Sequence, residues 1–567
     1  MTDLRRTGPA DLLITGGRVF QAYRPRELVP YGSDLGPRPV GAPNALAVVG
    51  GTIAWIGRDD EALRDWRGPR TEVVDARGGL ITAGFDDAHI HVVGGAQELD
   101  RVDLFQLGSV GAMGSAIGRH AAANPTDAWV LGRGWMYVPF PGGLPTRQQL
   151  DAVVPDRPAF MGCYDGHTGW ANSAALRLAG IDRDTPDPWD GIIVRDPATG
   201  EATGALKEGA QRLVTRRIPV PSEADTRDAM RRTFTAMHAM GVTSVQDAWV
   251  DPAELPLWRT LRDDGTLGVR ARLALQMRPD RSLDEWRTTL DEYEALVGDL
   301  RAGEWLDAGI LKAYGDGVVE ARTAAMLEPY VDDTSTGNPK WDADTLDAFA
   351  AEADRRGWQL EIHAIGDAAI RMALDAYERA ANANGPRDRR HRVEHIETVA
   401  RADIPRFAQL GVVASMQPYH ADPSPNQIDV WAGNIGPERA GQAWSWASIL
   451  HQGAVVALGS DWPVMPFDPF IALNSAVNRQ TVDGRPPGGW LPSEKLSLPE
   501  ALSAYGRGSA YAAFADDRRG TLRPGADADL IVLDRDILAM GPASIIGTTV
   551  VMTVVGGRIV HRTEVRA

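Results

Sequence analysis

The stretch Ala83–His91, AGFDDAHIH, decides how this chain is read. A short apolar run closes on Asp87-Ala88-His89-Ile90-His91, so the polar residues gather at the C-terminal end of a predicted strand. Residues two apart on a strand project from one face, which lets His89 and His91 bind one cation together. An HxH pair alone is as easily two hydrogen-bonded core histidines, so its meaning depends on what the rest of the chain sets beside it.

Seven further apolar runs follow, alternating with longer helical patterns. They are GVTSVQDA from Gly241, VRARLAL from Val269, GILKAYGDG from Gly309, WQLEIHAIGD from Trp358, HRVEHIE from His391, GVVASMQP from Gly411 and AVVALGSDWPV from Ala454. Alternation of this kind predicts parallel β/α units, and eight strands predict an α/β fold, a (β/α)8 TIM-like barrel whose chemistry sits at the C-terminal strand ends. Strand five ends in His363, strand six in His395, strand eight in Asp461, and strand four carries Lys312. Singly, each has an ordinary reading: a core or surface histidine, a turn cap, a solvated lysine. In a chain with 11 histidines, the order HxH, His, His, Asp on strands one, five, six and eight predicts a metal site instead.

The chain ends read differently. DLLITGGRVF from Asp11 and ALAVVGGTIAWIG from Ala45 are strand-like, with a Pro- and Gly-rich loop between them, and GTLRPGADADLIVLD from Gly520 and VVMTVVGGRIVHR from Val550 mirror them. Residues 1–80 and 516–567 are therefore expected to form one small β-sandwich around a catalytic barrel over 81–515. Between strands one and two lie roughly 150 residues, too many for one crossover, with strand-like segments WVLGRGW and PAFMGCYDGH of their own. An inserted lobe over about 105–235, covering the barrel mouth, is the expectation.

Composition excludes several classes. A net charge of −17 disfavours nucleic acid or anionic membrane as partner. No stretch approaches the ~18 apolar residues of a membrane span, and MTDLRRTGPADLLITGG lacks a leader's apolar core, so a cytoplasmic location is expected. The single cysteine, Cys163, rules out an internal disulfide and reads as a small buried thiol rather than a nucleophile. Neither a G-x-S-x-G elbow nor a G-x-G-x-x-G opening a helix is present in the required context.

The strand order resembles the amidohydrolase superfamily. GFDDAHIH, DGHTGWANSAAL from Asp165, LKAYGDGVVEARTAA from Leu311, EIHAIGDAA from Glu361, RVEHIE from Arg392, LGSDWPV from Leu458 and GTLRPGADADLIVLD are similar to its YtcJ-like, amidohydrolase-3 branch, over almost the whole chain. The resemblance implies one or two divalent metals, zinc foremost, on His89, His91, His363, His395 and Asp461. It also implies a strand-four lysine, Lys312, carboxylated to bridge two metals, with Lys207 in GALKEGA as the alternative. The implied activity is hydrolysis of an amide-type C–N bond, N-substituted formamides being the best-described substrates of the branch. Asp461 would move the proton from water to the leaving nitrogen, and His167 would polarise the carbonyl. Cyclic amide or imide hydrolysis, deamination, and a catalytically silent binding protein stay open beside it. Most of the 17 tryptophans read as packing, but Trp135, Tyr164, Trp170 and Trp249, with Tyr137, are expected to offer aromatic surface to a small-molecule substrate. A homodimer is left open.

Overall fold

The computed structural model describes residues 8–22 and 41–563. Most of the expected Pro- and Gly-rich loop and the first seven residues, where the absence of a leader was read, lie outside the described residues. The eight expected strands all form. They are β1 (Phe85–Ile90), β2 (Val242–Val250), β3 (Arg270–Gln276), β4 (Leu306–Tyr314), β5 (Gln359–Ala364), β6 (Arg392–His395), β7 (Val413–Met416) and β8 (Val456–Leu458). They stand in sequence order in one sheet whose pairings are all parallel.

The sheet closes on itself just past β8. Asp461 N donates to His89 O and His91 N donates to Trp462 O, each at 2.7 Å. Gly459 makes that approach possible, because a Cβ there would lie 2.5 Å from His89 N. The result is a TIM-like barrel.

Helices form the outer layer for local reasons. Ser222 and Ser282 cap the helices Glu223–Ala239 and Leu283–Val297 by accepting from Asp225 N and Glu285 N. The helix Asp367–Asn384 buries Ile370, Ala373, Leu374 and Tyr377, a three-to-four spacing that lays one stripe on the barrel. Met230, Phe234 and Met237 do the same for Glu223–Ala239.

Two smaller assemblies complete the chain. The lobe is a six-stranded sheet drawn from Val102–Asp103 to Ala202–Glu208, all of it between β1 and β2. At the ends, a four-stranded sheet from the N-terminal segment faces a five-stranded sheet that combines Arg18–Val19 and Leu80–Ala83 with Leu530–Leu533, Val550–Val555 and Arg558–Arg562. Leu12, Ile14, Val48, Leu530, Val532 and Val554 share one core, so the two sheets make a sandwich from both chain ends. Arg270 of β3 reaches Asp529 at 2.5 Å and ties it to the barrel floor. Among the described residues no helix is long and apolar enough to cross a membrane.

One buried carboxylate fixes the approach to β6. Asp354, on the helix Ala343–Arg355, has a fully buried side chain that accepts from Arg387 (2.6 Å), Arg389 (2.9 Å), Asn384 (2.8 Å) and His391 (3.1 Å). Burial alone would raise its pKa, but these donors hold it well below the carboxylate range. Asp354→Ala is expected to destabilise the protein by ~2–4 kcal/mol, because it leaves the buried Arg389 guanidinium, His391 and Asn384 without their acceptor. The loss should appear in the denaturant midpoint. A depressed carboxylate contributes fully above its ordinary value of 3.8, so the gap between wild type and variant should narrow as pH falls below that value.

Candidate metal centre

All six residues expected at the metal site, His89, His91, Lys312, His363, His395 and Asp461, line one cavity at the C-terminal ends of the barrel strands. His89 is fully buried, and its Nδ1 lies 2.5 Å from Glu394 Oε2. Glu394 in turn accepts from Arg392 Nε at 2.8 Å. A carboxylate behind an imidazole fixes the tautomer, so His89 presents its Nε2 lone pair to the cavity. His91 stands one residue beyond the end of β1, with its Nε2 3.1 Å from Asp461 Oδ1. The same oxygen is 3.5 Å from His89 Nε2.

Backbone strain accompanies this placement. Asp461 and His395 both have left-handed backbones, φ 59° and 72°. Each costs about 1–3 kcal/mol and persists only where its surroundings fix it, for Asp461 through the backbone bonds that close the barrel and for His395 through Ile396 N, which donates to Ala364 O and Glu394 O.

His363 packs its ring 4.5 Å from that of His395, and its Nε2 lies 3.2 Å from Gly317 O, which leaves Nδ1 as the nitrogen free to ligate. Lys312 is fully buried, with Nζ 3.4 Å from His89 Nε2 and 3.8 Å from Glu361 Oε1. Burial lowers its pKa. Lys207 turns its Nζ to Ala321 O at 3.3 Å and is absent from the cavity wall, so of the two lysines only Lys312 faces the site.

Sequence reasoning missed His420. It lies outside the strand run GVVASMQP, on the turn Pro418–Ala421 just past β7, which carries it over the cavity with Nε2 3.3 Å from Asp461 Oδ2. Glu320, Glu397 and Tyr314 also line the wall unannounced. The signal for Glu394 and Glu397 was present in RVEHIE, where carboxylates flank the histidine inside an apolar run.

Electrostatics favour a cation. Burial, then the Lys312 charge, brings His89 down to about 4, and burial holds His363 and His395 well below the ordinary imidazole value, so their lone pairs are free. Asp461 is held well below the carboxylate range against the opposing effect of burial, chiefly by His420, His89 and His91. His395 Nδ1 and His420 Nε2 are buried without a hydrogen-bond partner. Ligand atoms of His89, His91 and Asp461, and those of His395, His420 and Asp461, cluster within 4.8 Å in each set. The neutral imidazoles of His89, His363 and His395 converge with the Asp461 carboxylate, a donor set that fits a divalent cation, whereas His420, between the carboxylates of Asp461 and Glu397, is raised to about 10 against burial.

The lobe supplies the opposite wall. His167 lies 3.0 Å from Glu208 Oε2, and that carboxylate raises it to about 9 against burial, so it faces the cavity as an imidazolium. Tyr164 lines the cavity as expected; its hydroxyl donates to Glu320 and accepts from Asn426. The other aromatic expectations need correction. Trp135 and Trp170 are buried in the lobe core against Phe140, their indole N–H groups consumed by Met161 O and Thr146 O. Tyr137 donates to Asp165 behind the wall. Trp249 packs edge-on against Tyr314 at 4.7 Å, and it is Tyr314 that reaches the cavity. Cys163 is buried, donates to Trp135 O and has its thiol pushed up by burial, as an inert thiol should.

Comparison with known proteins agrees with this geometry. The family model described as Amidohydrolase family matches residues 72–561. The YtcJ protein of Bacillus subtilis (strain 168) is 31% identical over 526 residues, 91% of this chain and 96% of its own. The N-substituted formamide deformylase of Arthrobacter pascens is 30% identical over 513 residues, 87% of this chain and 90% of its own. A crystal structure of an uncharacterized metal-dependent hydrolase from Pyrococcus horikoshii OT3 superposes with a TM-score of 0.70 at 25% identity, covering 94% of this chain and 99% of that one. With a family model matched from the terminal sandwich through the whole barrel and relatives aligned over nearly all of its length, the chain belongs to the amidohydrolase family.

Proposed function

We propose that this metal-dependent hydrolase cleaves the C–N bond of an acyclic N-substituted amide, formamides foremost, with Asp461 as the proton carrier. One observation carries the reading: Asp461 is a single buried carboxylate within 3.5 Å of His89, His91 and His420, where a proton-moving base and a cation can share the same water. The likeness to a formamide deformylase supports the choice of substrate class.

In this reading His89, His91 and Asp461 hold one zinc ion, with His363 and His395 beside a second position. A zinc ion bound by these residues would supply Lewis acidity and lower the pKa of a bound water to roughly 7. Asp461 accepts the proton of the attacking water and delivers it to the leaving nitrogen, without which an amine is a poor leaving group. His167, held as an imidazolium by Glu208, donates to the carbonyl oxygen as negative charge develops there. Glu394 and Arg392 keep the His89 ring fixed. Lys312, its amine made more nucleophilic by burial, is poised for carboxylation by carbon dioxide, which forms an N–C bond and releases one proton. Tyr164, with Tyr314 of β4, narrows the entrance for the nitrogen substituent.

Incubating zinc-loaded protein with N-substituted formamides, longer N-acyl amines and lactams should release amine fastest from the formamides; turnover confined to lactams would refute the acyclic assignment. Asp461→Asn should lower kcat by about 10²–10⁴-fold. Glu394→Gln should weaken metal affinity by about 10–100-fold in a chelator competition, since it loosens His89 without removing a ligand.

A further inference from the structure

His420 has no part in the ligand set just proposed, yet its surroundings repeat those of His89 on the other side of Asp461. Behind His89 stands Glu394 at 2.5 Å from Nδ1, and in front of it Asp461 Oδ1. Behind His420 stands Glu397, with Oε1 3.5 Å from Nδ1, and in front of it Asp461 Oδ2, 3.3 Å from Nε2. Glu397 is itself anchored, because Trp431 Nε1 donates to its Oε2 at 2.6 Å. Glu394 holds the Nδ1 side of the His89 ring and Glu397 stands at ion-pair distance on the Nδ1 side of His420, so each ring turns its Nε2 toward Asp461 and the cavity.

The second observation is what the nitrogens around Asp461 Oδ2 lack. His420 Nε2 and His395 Nδ1 are buried, and neither has a hydrogen-bond partner. They flank the same oxygen, Asp461 Oδ2, at 3.3 and 3.9 Å, and the ligand atoms of the three residues fall within 4.8 Å of one another. The His395 and His420 rings lie 5.7 Å apart at 27°, side by side over that oxygen. Buried nitrogens without partners are costly, and a cation between them would satisfy both at once. A proton on His420 would satisfy only one of them and leave His395 Nδ1 bare.

We propose that His420 is a metal ligand: with His395 and Asp461 it would hold a second divalent cation, with Glu397 as the residue that orients it. The proposal rests on the metal-dependent reading above and adds to it a ligand from the seventh strand end and a positioning residue, Glu397.

Metal content, read independently of activity, tests it. After dialysis against zinc, the wild type should hold two equivalents per chain by elemental analysis, and His420→Ala should hold one, with an unchanged circular dichroism spectrum. Cobalt(II) loading should show the same loss, the visible absorption of one of two sites disappearing. Glu397→Gln should keep both equivalents but release one about 10–100-fold more readily to a chelator. If His420→Ala fails to fold, zinc X-ray absorption of the wild type serves instead. A mean imidazole count that requires His420 supports the proposal, and a count met without it overturns it. A His420→Ala variant that keeps wild-type stoichiometry and an unaltered cobalt spectrum overturns the role of His420 and leaves the hydrolase reading intact. A wild type that binds no metal overturns both.

Discussion

The barrel of this protein closes through two backbone hydrogen bonds, and the site depends on them. Asp461 N to His89 O and His91 N to Trp462 O stitch the segment after β8 to the end of β1. A barrel seam is needed for the fold alone, since an open edge would leave a row of unpaired amides. Here the residues that make the seam are also the candidate ligands, so closing the sheet brings Asp461 between His89 and His91 without further adjustment. Asp87 reinforces the joint by accepting from Ser460 N at 2.8 Å. The left-handed backbone of Asp461 is tolerable only because the seam over-determines it.

Below the seam, the barrel interior carries more charge than a packed core normally holds. Arg392 is fully buried and reaches four strands: Ala88 O on β1, Gln246 on β2, Glu394 on its own strand and Ser415 on β7. Desolvating a guanidinium costs several kcal/mol, which only this many acceptors offset. What the arrangement achieves is direction: Arg392 fixes Glu394, and Glu394 fixes the His89 ring. Lys312 and Glu361 are a looser pair at 3.8 Å, and Glu361 Oε1 is left without a hydrogen bond.

The barrel was legible because eight strand-like runs alternate with helical patterns, and several of those runs end on a histidine or aspartate that breaks the apolar pattern. His89, His363, His395 and Asp461 are such breaks, and the structure sets all four in one cavity. His420 was illegible because it lies on a turn past β7, after a proline that ends the strand pattern, and no periodicity links it to the site. Glu394 and Glu397 were visible as charges but not as functions, since their roles come from what stands opposite them across the barrel. The tryptophans misled for a related reason. Trp135 and Trp170 sit in a lobe whose segment near DGHTGW does face the cavity, but pairing with neighbouring strands turns their indoles into the lobe core. Which side of a small sheet faces a ligand cannot be read from aromatic content alone.

The lobe is therefore a structural part of the site rather than a cover laid over it. Glu208, at the end of a lobe strand, holds His167, accepts from Thr323 at 2.7 Å and lies 3.5 Å from Lys340 Nζ, both on the long segment after β4. That segment is folded around Asp316, whose buried carboxylate accepts from the backbone of Ala325, Ile365 and Gly366. Its Gly317 carbonyl in turn orients His363. The chain of contacts runs from the lobe, through Glu208 and the segment after β4, to a histidine on β5. The lobe and the barrel mouth are thus joined by one continuous set of hydrogen bonds that ends on His363.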